Sequence, residues 1–210
     1  MMRQILCFGD SNTYGLIPRT TDRYDWDTRW TGIIGKKLIK KGYRIIEEGL
    51  CGRTTIFDDP LRIGRRGTEL LPVILESHQP IDIVVLMLGT NDCKSFYDAS
   101  ANVIGLGIKK LIGQIRNAVP KAKILLISPI HLGDDIWDGY DPEFNEDSIK
   151  TSKNIGRVYK KIAKEEQIYY LAASDYALPS KEDREHLNKD GHKALAQAIG
   201  KQLDRIIDEK

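Results

Sequence analysis

The chain is poor in features that mark several protein classes. Its longest strictly apolar run is Ile83 to Leu88, far short of the roughly 20 residues that a membrane-spanning helix needs. Near the N-terminus only Ile5 to Phe8 follow Arg3 before Gly9 and Asp10 intervene, so no signal-peptide core is expected. Cysteine is scarce: Cys7, Cys51 and Cys93 are 3 in number and widely spaced. That excludes a disulfide framework and a paired CxxC site, and a reduced, cytoplasmic protein is the expectation. Excess charge of one sign is missing too, since 32 Lys and Arg against 30 Asp and Glu leave +2. A nucleic-acid binder normally carries a strongly basic face, so that class is not expected. No Walker sequence and no HExxH pattern occurs,. Gly105-Leu106-Gly107 lacks the third glycine and the preceding strand of a dinucleotide fingerprint,. Asp134 to Asp141 resembles a calcium loop only in composition, because Ile136 and Asn145 fall on ligand positions,.

Apolar runs and helical stripes do alternate along the whole chain. With 210 residues, 41% hydrophobic and 30% charged, it is long enough for one domain spanning 1–210. Strands are predicted at Gln4–Phe8, Arg44–Glu48, Ile83–Leu88, Lys123–Ile127 and Ile168–Leu171. Ile83 to Leu88 is branched and continuous, as a strand covered on both faces should be. Helical spacing joins Trp30, Ile33, Ile34 and Leu38, with Gly42 as the stop. A second helix runs from a Thr68 cap to about His78. Further stripes are Ile104 to Val119, Ile155 to Ile162, and Leu195 to Ile206. Strands alternating with helices predict an α/β fold, a three-layer α/β/α sandwich with a five-stranded parallel sheet in the order 2-1-3-4-5. Two long loops, Leu16–Thr28 and Pro129 to about Phe144, are candidates to shape a pocket.

Ligands of such sheets bind outside the carboxyl ends of the strands, so the residues after each strand matter most. They are Gly9-Asp10-Ser11-Asn12, then Cys51-Gly52-Arg53, then Gly89-Thr90-Asn91-Asp92, and finally Asp183-Arg184-Glu185-His186. These types suit acyl transfer. A serine hydroxyl needs a base, which His186 can be. Asp183 can hold the imidazole tautomer. The backbone N–H groups of Ser11 and Gly52 and the Asn91 amide can serve as an oxyanion hole. Taken singly, each residue has an ordinary structural explanation: Gly-Asp-Ser as a turn and helix cap, Asn91 as a capping residue, His186 as a core histidine, Asp183 as a loop carboxylate. Their joint placement after strands is what the ordinary explanations do not require.

The four segments resemble blocks I, II, III and V of the SGNH (GDSL-type) hydrolase superfamily, over Ile5 to His192. Arg29-Trp30-Thr31-Gly32, Glu47-Glu48-Gly49-Leu50 and Arg53-Thr54-Thr55 are similar to runs of its bacterial arylesterase and acyltransferase subgroup. The resemblance implies a flavodoxin-like sheet, a Ser11, Asp183 and His186 triad, an oxyanion hole of Ser11, Gly52 and Asn91, and no metal or cofactor. It implies a small ester as substrate and a homo-oligomer, with carbohydrate acetyl esters as the alternative substrate class. Asn12, Leu16, Arg184 and Glu185 depart from the pattern. If Glu185 approaches His186, its charge should raise the imidazole pKa. The rival from another class is a receiver-like signalling domain, which has a similar sheet but no use for Asp183-x-x-His186.

Other residues carry weaker expectations. Trp30 belongs to a helical stripe and should be core. Trp26, Phe57, Trp137 and Phe144 fall in loops, as candidates for the substrate wall or a subunit interface. His192 should pack on the last helix, and His131 follows the fourth strand. Each cysteine stands beside one of the blocks, so its oxidation is expected to disturb the site.

Overall fold

The computed structural model describes residues 2–209. Five parallel strands, β1 Arg3–Gly9, β2 Tyr43–Gly49, β3 Ile83–Met87, β4 Lys123–Ser128 and β5 Tyr169–Ala172, form one sheet in the order 2-1-3-4-5. Helices α1 Ser11–Tyr14, α2 Trp30–Leu38, α3 Gly67–Ser77, α4 Ala101–Ala118, α5 Glu146–Glu165 and α6 Lys189–Asp208 connect and cover them.

The strand side chains explain the layering. Successive residues of a strand point to opposite faces. Leu6, Phe8, Val84, Leu86, Ile124 and Leu126 enter one core with residues of α3, α4 and α5. Their neighbours Ile5, Cys7, Ile83, Val85, Leu125 and Ile127 enter the other, with α2 and α6. All five residues of β3 are buried, which is why that strand reads as an unbroken apolar run. Ser100, Asn145 and Asn188 cap α4, α5 and α6 by accepting from Val103, Ser148 and Gly191 backbone N–H groups. Gly42 ends the turn after α2 in the left-handed region at φ 79.

The strand ends shift by at most one residue from expectation, and the start of α3 differs in kind. Thr68 does not cap α3, which begins at Gly67, and Arg66 in the cap position makes no side-chain bond. The orphan N–H groups of the first turn go to a neighbouring loop instead, Gly67 to Thr54 O and Thr68 to Thr55 O, both at 3.0 Å. A helix start satisfied by tertiary contacts needs no side-chain cap.

β1 pairs with β2 on one side and with β3 on the other, so the order reverses beside it. The crevice at such a switch point, outside the carboxyl ends of the strands, is where this architecture opens to ligands.

Candidate active site

Ser11 stands at the end of β1, as the first residue of α1. Asp10 caps that turn, accepting from Asn12 N at 3.0 Å. The turn lies close to the strands because two glycines permit it. A Cβ on Gly9 would fall 2.8 Å from Met87 O, and one on Gly49 would fall 2.2 Å from Tyr14 N. Trp30 is buried, as expected, and its indole N–H donates to Asn12 O at 3.0 Å. The core thus supports the serine turn from below.

The structure brings Ser11, His186 and Asp183 together. His186 Nε2 is 2.8 Å from Ser11 Oγ, and His186 Nδ1 is 2.8 Å from Asp183 Oδ2. The other Asp183 oxygen accepts from the backbone N–H groups of Glu185 at 3.0 Å and His186 at 2.9 Å. One carboxylate therefore folds its own loop and orients the ring. Burial pushes the Asp183 carboxyl up, but the bonds from His186 and the two amides outweigh it and leave it lowered.

Asn12 is a residue whose role the sequence did not disclose. Its Oδ1 accepts from Leu187 N at 2.9 Å and its Nδ2 donates to Glu185 O at 3.4 Å. It pins the histidine loop to the serine turn across most of the chain. The one available signal was its departure from the family pattern at that position.

Gly52 and Asn91 lie on two loops held to each other. Gly52 has φ 81, and a Cβ there would meet the Arg62 guanidinium at 2.8 Å. Asn91 Nδ2 donates to Arg53 O at 3.2 Å, which orients the amide and leaves its second N–H free,. Asp92 is fully buried and accepts from Thr55 N at 2.9 Å and Thr55 Oγ at 2.5 Å. Arg53 reaches Gly9 O at 2.8 Å and also Glu48 O. These contacts tie the Gly52 loop to β1 and to the Asn91 turn. Burial pushes the Asp92 carboxyl up to about 6, against the Thr55 donors.

Glu185 approaches His186, with Oε1 3.7 Å from Nε2. Burial pulls the imidazolium down, but Glu185, Asp183 and Asp10 outweigh it and raise the ring to about 9. Burial also pushes the Glu185 carboxyl up, helped by Asp141, Asp183 and Asp10, while the imidazolium opposes this.

Two aromatic expectations, those for Phe144 and Trp137, are corrected. Phe144 is buried in the core with α4 and α5, and Trp137 packs partly buried against the same cluster. Phe57 stacks on Tyr97 with ring centres 4.6 Å apart. Trp26 lies over the Gly32 and Gly35 face of α2 and stays 37% exposed. For Phe144 and Trp137 apolar area finds the nearest core, which loop position alone does not reveal. Arg19 of the first long loop meets the second, donating to Gly139 O at 3.1 Å and standing 5.3 Å from the Tyr140 ring centre, while Arg184 of the histidine loop stands 5.4 Å from the same ring.

His192 is buried on α6, edge-on to Tyr24, and burial with the nearby cations of His186 and Arg29 pulls it down to about 4. It is a neutral packing residue. Cys7 and Cys93 are buried and burial pushes both thiols up, which disfavours the reactive thiolate form,.

A parallel sheet that gathers serine, histidine and carboxylate at its strand ends defines a class, the ester hydrolases built on a flavodoxin-like fold. The chain belongs to the GDSL-like lipase/acylhydrolase family, whose model matches residues 7–194. It is 36% identical to Est24, a carbohydrate acetylesterase from Sinorhizobium meliloti, with TM-score 0.90 over 97% of this chain and 99% of that one. It is 31% identical to the native M. smegmatis aryl esterase, also with TM-score 0.90 over 97% and 99%. A carbohydrate acetylesterase family member from Sinorhizobium meliloti is 28% identical, with TM-score 0.89 over 98% and 99%. No curated protein matches the chain. Among the described residues, no helix is long and apolar enough to cross a membrane.

Proposed function

We propose that this chain is a serine esterase that cleaves short-chain acyl esters through Ser11, His186 and Asp183. The observation that carries this is the unbroken relay Ser11 Oγ to His186 Nε2 to Asp183, with both links at 2.8 Å. His186 takes the Ser11 proton as Oγ attacks the ester carbonyl. The Ser11 and Gly52 N–H groups and the free N–H of Asn91 stabilise the oxyanion. The imidazolium then protonates the leaving alkoxide, and an acyl-Ser11 ester remains. Water, or a competing alcohol in acyl transfer, attacks that ester with His186 again as base. Ser11 and His186 are only 2% and 8% exposed, which favours small acyl groups.

The test is a panel of acetyl to octanoyl aryl esters and acetylated sugars, run with and without added alcohols. Turnover should fall with acyl length, and products should include transfer to the alcohol. No turnover of any ester would overturn the proposal. Likeness to a carbohydrate acetylesterase favours acetylated sugars as a second reading.

Asn91→Ala is expected to lower kcat by about 10²–10³, the usual loss of one oxyanion donor. A near-normal rate would show that the amide is not used.

The pH dependence has a definite sign. His186 must be neutral to act as base, and its pKa is raised to about 9. So kcat/KM should rise with pH through neutrality towards that value. Glu185→Gln removes a negative charge facing the ring, lowers its pKa, and moves the acid limb to lower pH. Each unit of that shift gives up to about tenfold more activity at pH 7. An unmoved limb would remove Glu185 from this role.

The chain is further proposed to be one domain, acting in the cytoplasm as a homo-oligomer. Its three free cysteines support a reducing compartment,. Leu61 and Ile63, 74% and 97% exposed, support association,. A monomer mass by light scattering at micromolar concentration would overturn the oligomer.

A further inference from the structure

We propose that the Glu185 carboxyl group determines leaving-group specificity, selecting monoesters of vicinal diols, in which a free hydroxyl stands on the carbon beside the esterified one. This rests on the serine-esterase reading above and adds a substrate class to it.

One nitrogen fixes where the leaving oxygen must sit. His186 Nε2 faces Ser11 Oγ at 2.8 Å and is the atom that hands a proton to the leaving oxygen,. That oxygen must therefore come within hydrogen-bond distance of Nε2. Glu185 Oε1 stands 3.7 Å from the same nitrogen. The carboxyl thus lies within reach of an oxygen bound at that nitrogen. In a gauche vicinal diol the two oxygens are close neighbours. When one takes the proton from Nε2, the other reaches the carboxyl oxygen.

The carboxyl is also in need of a donor. Its side chain is only 9% exposed, and among the described residues it accepts no hydrogen bond from the protein. With only the imidazole beside it, the carboxyl keeps acceptor capacity that a ligand hydroxyl can fill,. An alkyl group in the same place would leave that capacity unused. The position is fixed as well: Glu185 N donates to Asp183 and Glu185 O accepts from Asn12. Asp10, Asp141 and Asp183 add negative potential around it, so a neutral hydroxyl fits where an anionic group would be repelled.

The test compares 2-hydroxyethyl acetate with n-propyl acetate, which differ by a hydroxyl in place of a methyl. Acetate release is measured at one pH for wild type, Glu185→Leu and Glu185→Gln, with each kcat/KM divided by that ester's hydroxide-catalysed rate. Using the ratio of the two substrates cancels any change in the His186 pKa. Wild type is expected to favour the hydroxyl ester by about tenfold. Glu185→Leu should bring the ratio to one or below, and Glu185→Gln should fall between. A wild-type ratio near one, with both esters turned over, would overturn the specificity role and leave the esterase standing. A high ratio that persists in both variants would also overturn it. If wild type hydrolyses neither these esters nor an aryl acetate, the esterase reading fails and this inference with it. If Glu185→Leu fails to fold, the Glu185→Gln ratio decides the matter: it should fall below the wild-type value, and an unchanged ratio would overturn the role.

Discussion

Ser11→Ala is expected to remove ester turnover almost entirely, with a loss of about 10⁶ in kcat. The expectation follows from the geometry of a single oxygen. Ser11 Oγ is 2.8 Å from the imidazole and stands first in a turn that Asp10 caps. Alanine keeps that turn, because the cap and the Gly9 and Gly49 packing do not involve the hydroxyl. The variant should therefore fold, bind substrate and fail only in chemistry. Two measurements check this. Turnover of an aryl acetate should fall to background while the thermal midpoint stays near that of wild type. Covalent labelling by an organophosphate, followed by peptide mass mapping, should find Ser11 in wild type and nothing in the variant. Labelling of another serine in Ser11→Ala would sink the nucleophile assignment.

Asp183→Asn should cost about 10⁴ in kcat with little change in KM. The aspartate oxygens have separate work. Oδ1 accepts from the backbone N–H groups of Glu185 and His186, and Oδ2 faces His186 Nδ1 at 2.8 Å. An asparagine can keep the first set with its carbonyl. Its NH₂ group then meets Nδ1, which must turn acceptor, so the ring proton moves to Nε2. That nitrogen would present a proton to Ser11 where it should receive one. A loss confined to KM, or a loss below tenfold, would remove Asp183 from the relay. A stability effect accompanies it. The Asp183 carboxyl is lowered on folding, so its contribution is present above the ordinary aspartate range and is lost as pH falls through the lowered value. Asp183→Asn should lack that part of the acid dependence in urea unfolding.

Some of this molecule is legible without coordinates. The unbroken apolar run of β3 follows from burial on both faces. The alternation of β1 and β4 between two cores follows from period-2 geometry, and the stripes of α4 and α6 follow from period 3.6,. These patterns are local, and the order of elements leaves few parallel topologies open. The grouping of the candidate site residues was legible for the same reason, because residues after parallel strands must gather at one edge. The Thr68 cap and the walls assigned to Phe144 and Trp137 were not, since each depends on which distant segment comes near.

The sequence by itself determined the βα alternation, the residue types at the strand ends and the near-balance of charge. All of these are set by composition and by spacing along the chain. Only the tertiary structure decided that Asn12 ties the serine turn to the histidine loop, that Asp92 holds the Gly52 loop, and that the Glu185 carboxyl comes 3.7 Å from His186 Nε2. The physical reason is that hydrogen bonds and charge interactions act over a few ångströms of space. Asn12 and Leu187 are far apart in sequence, and no period along the chain records that they meet.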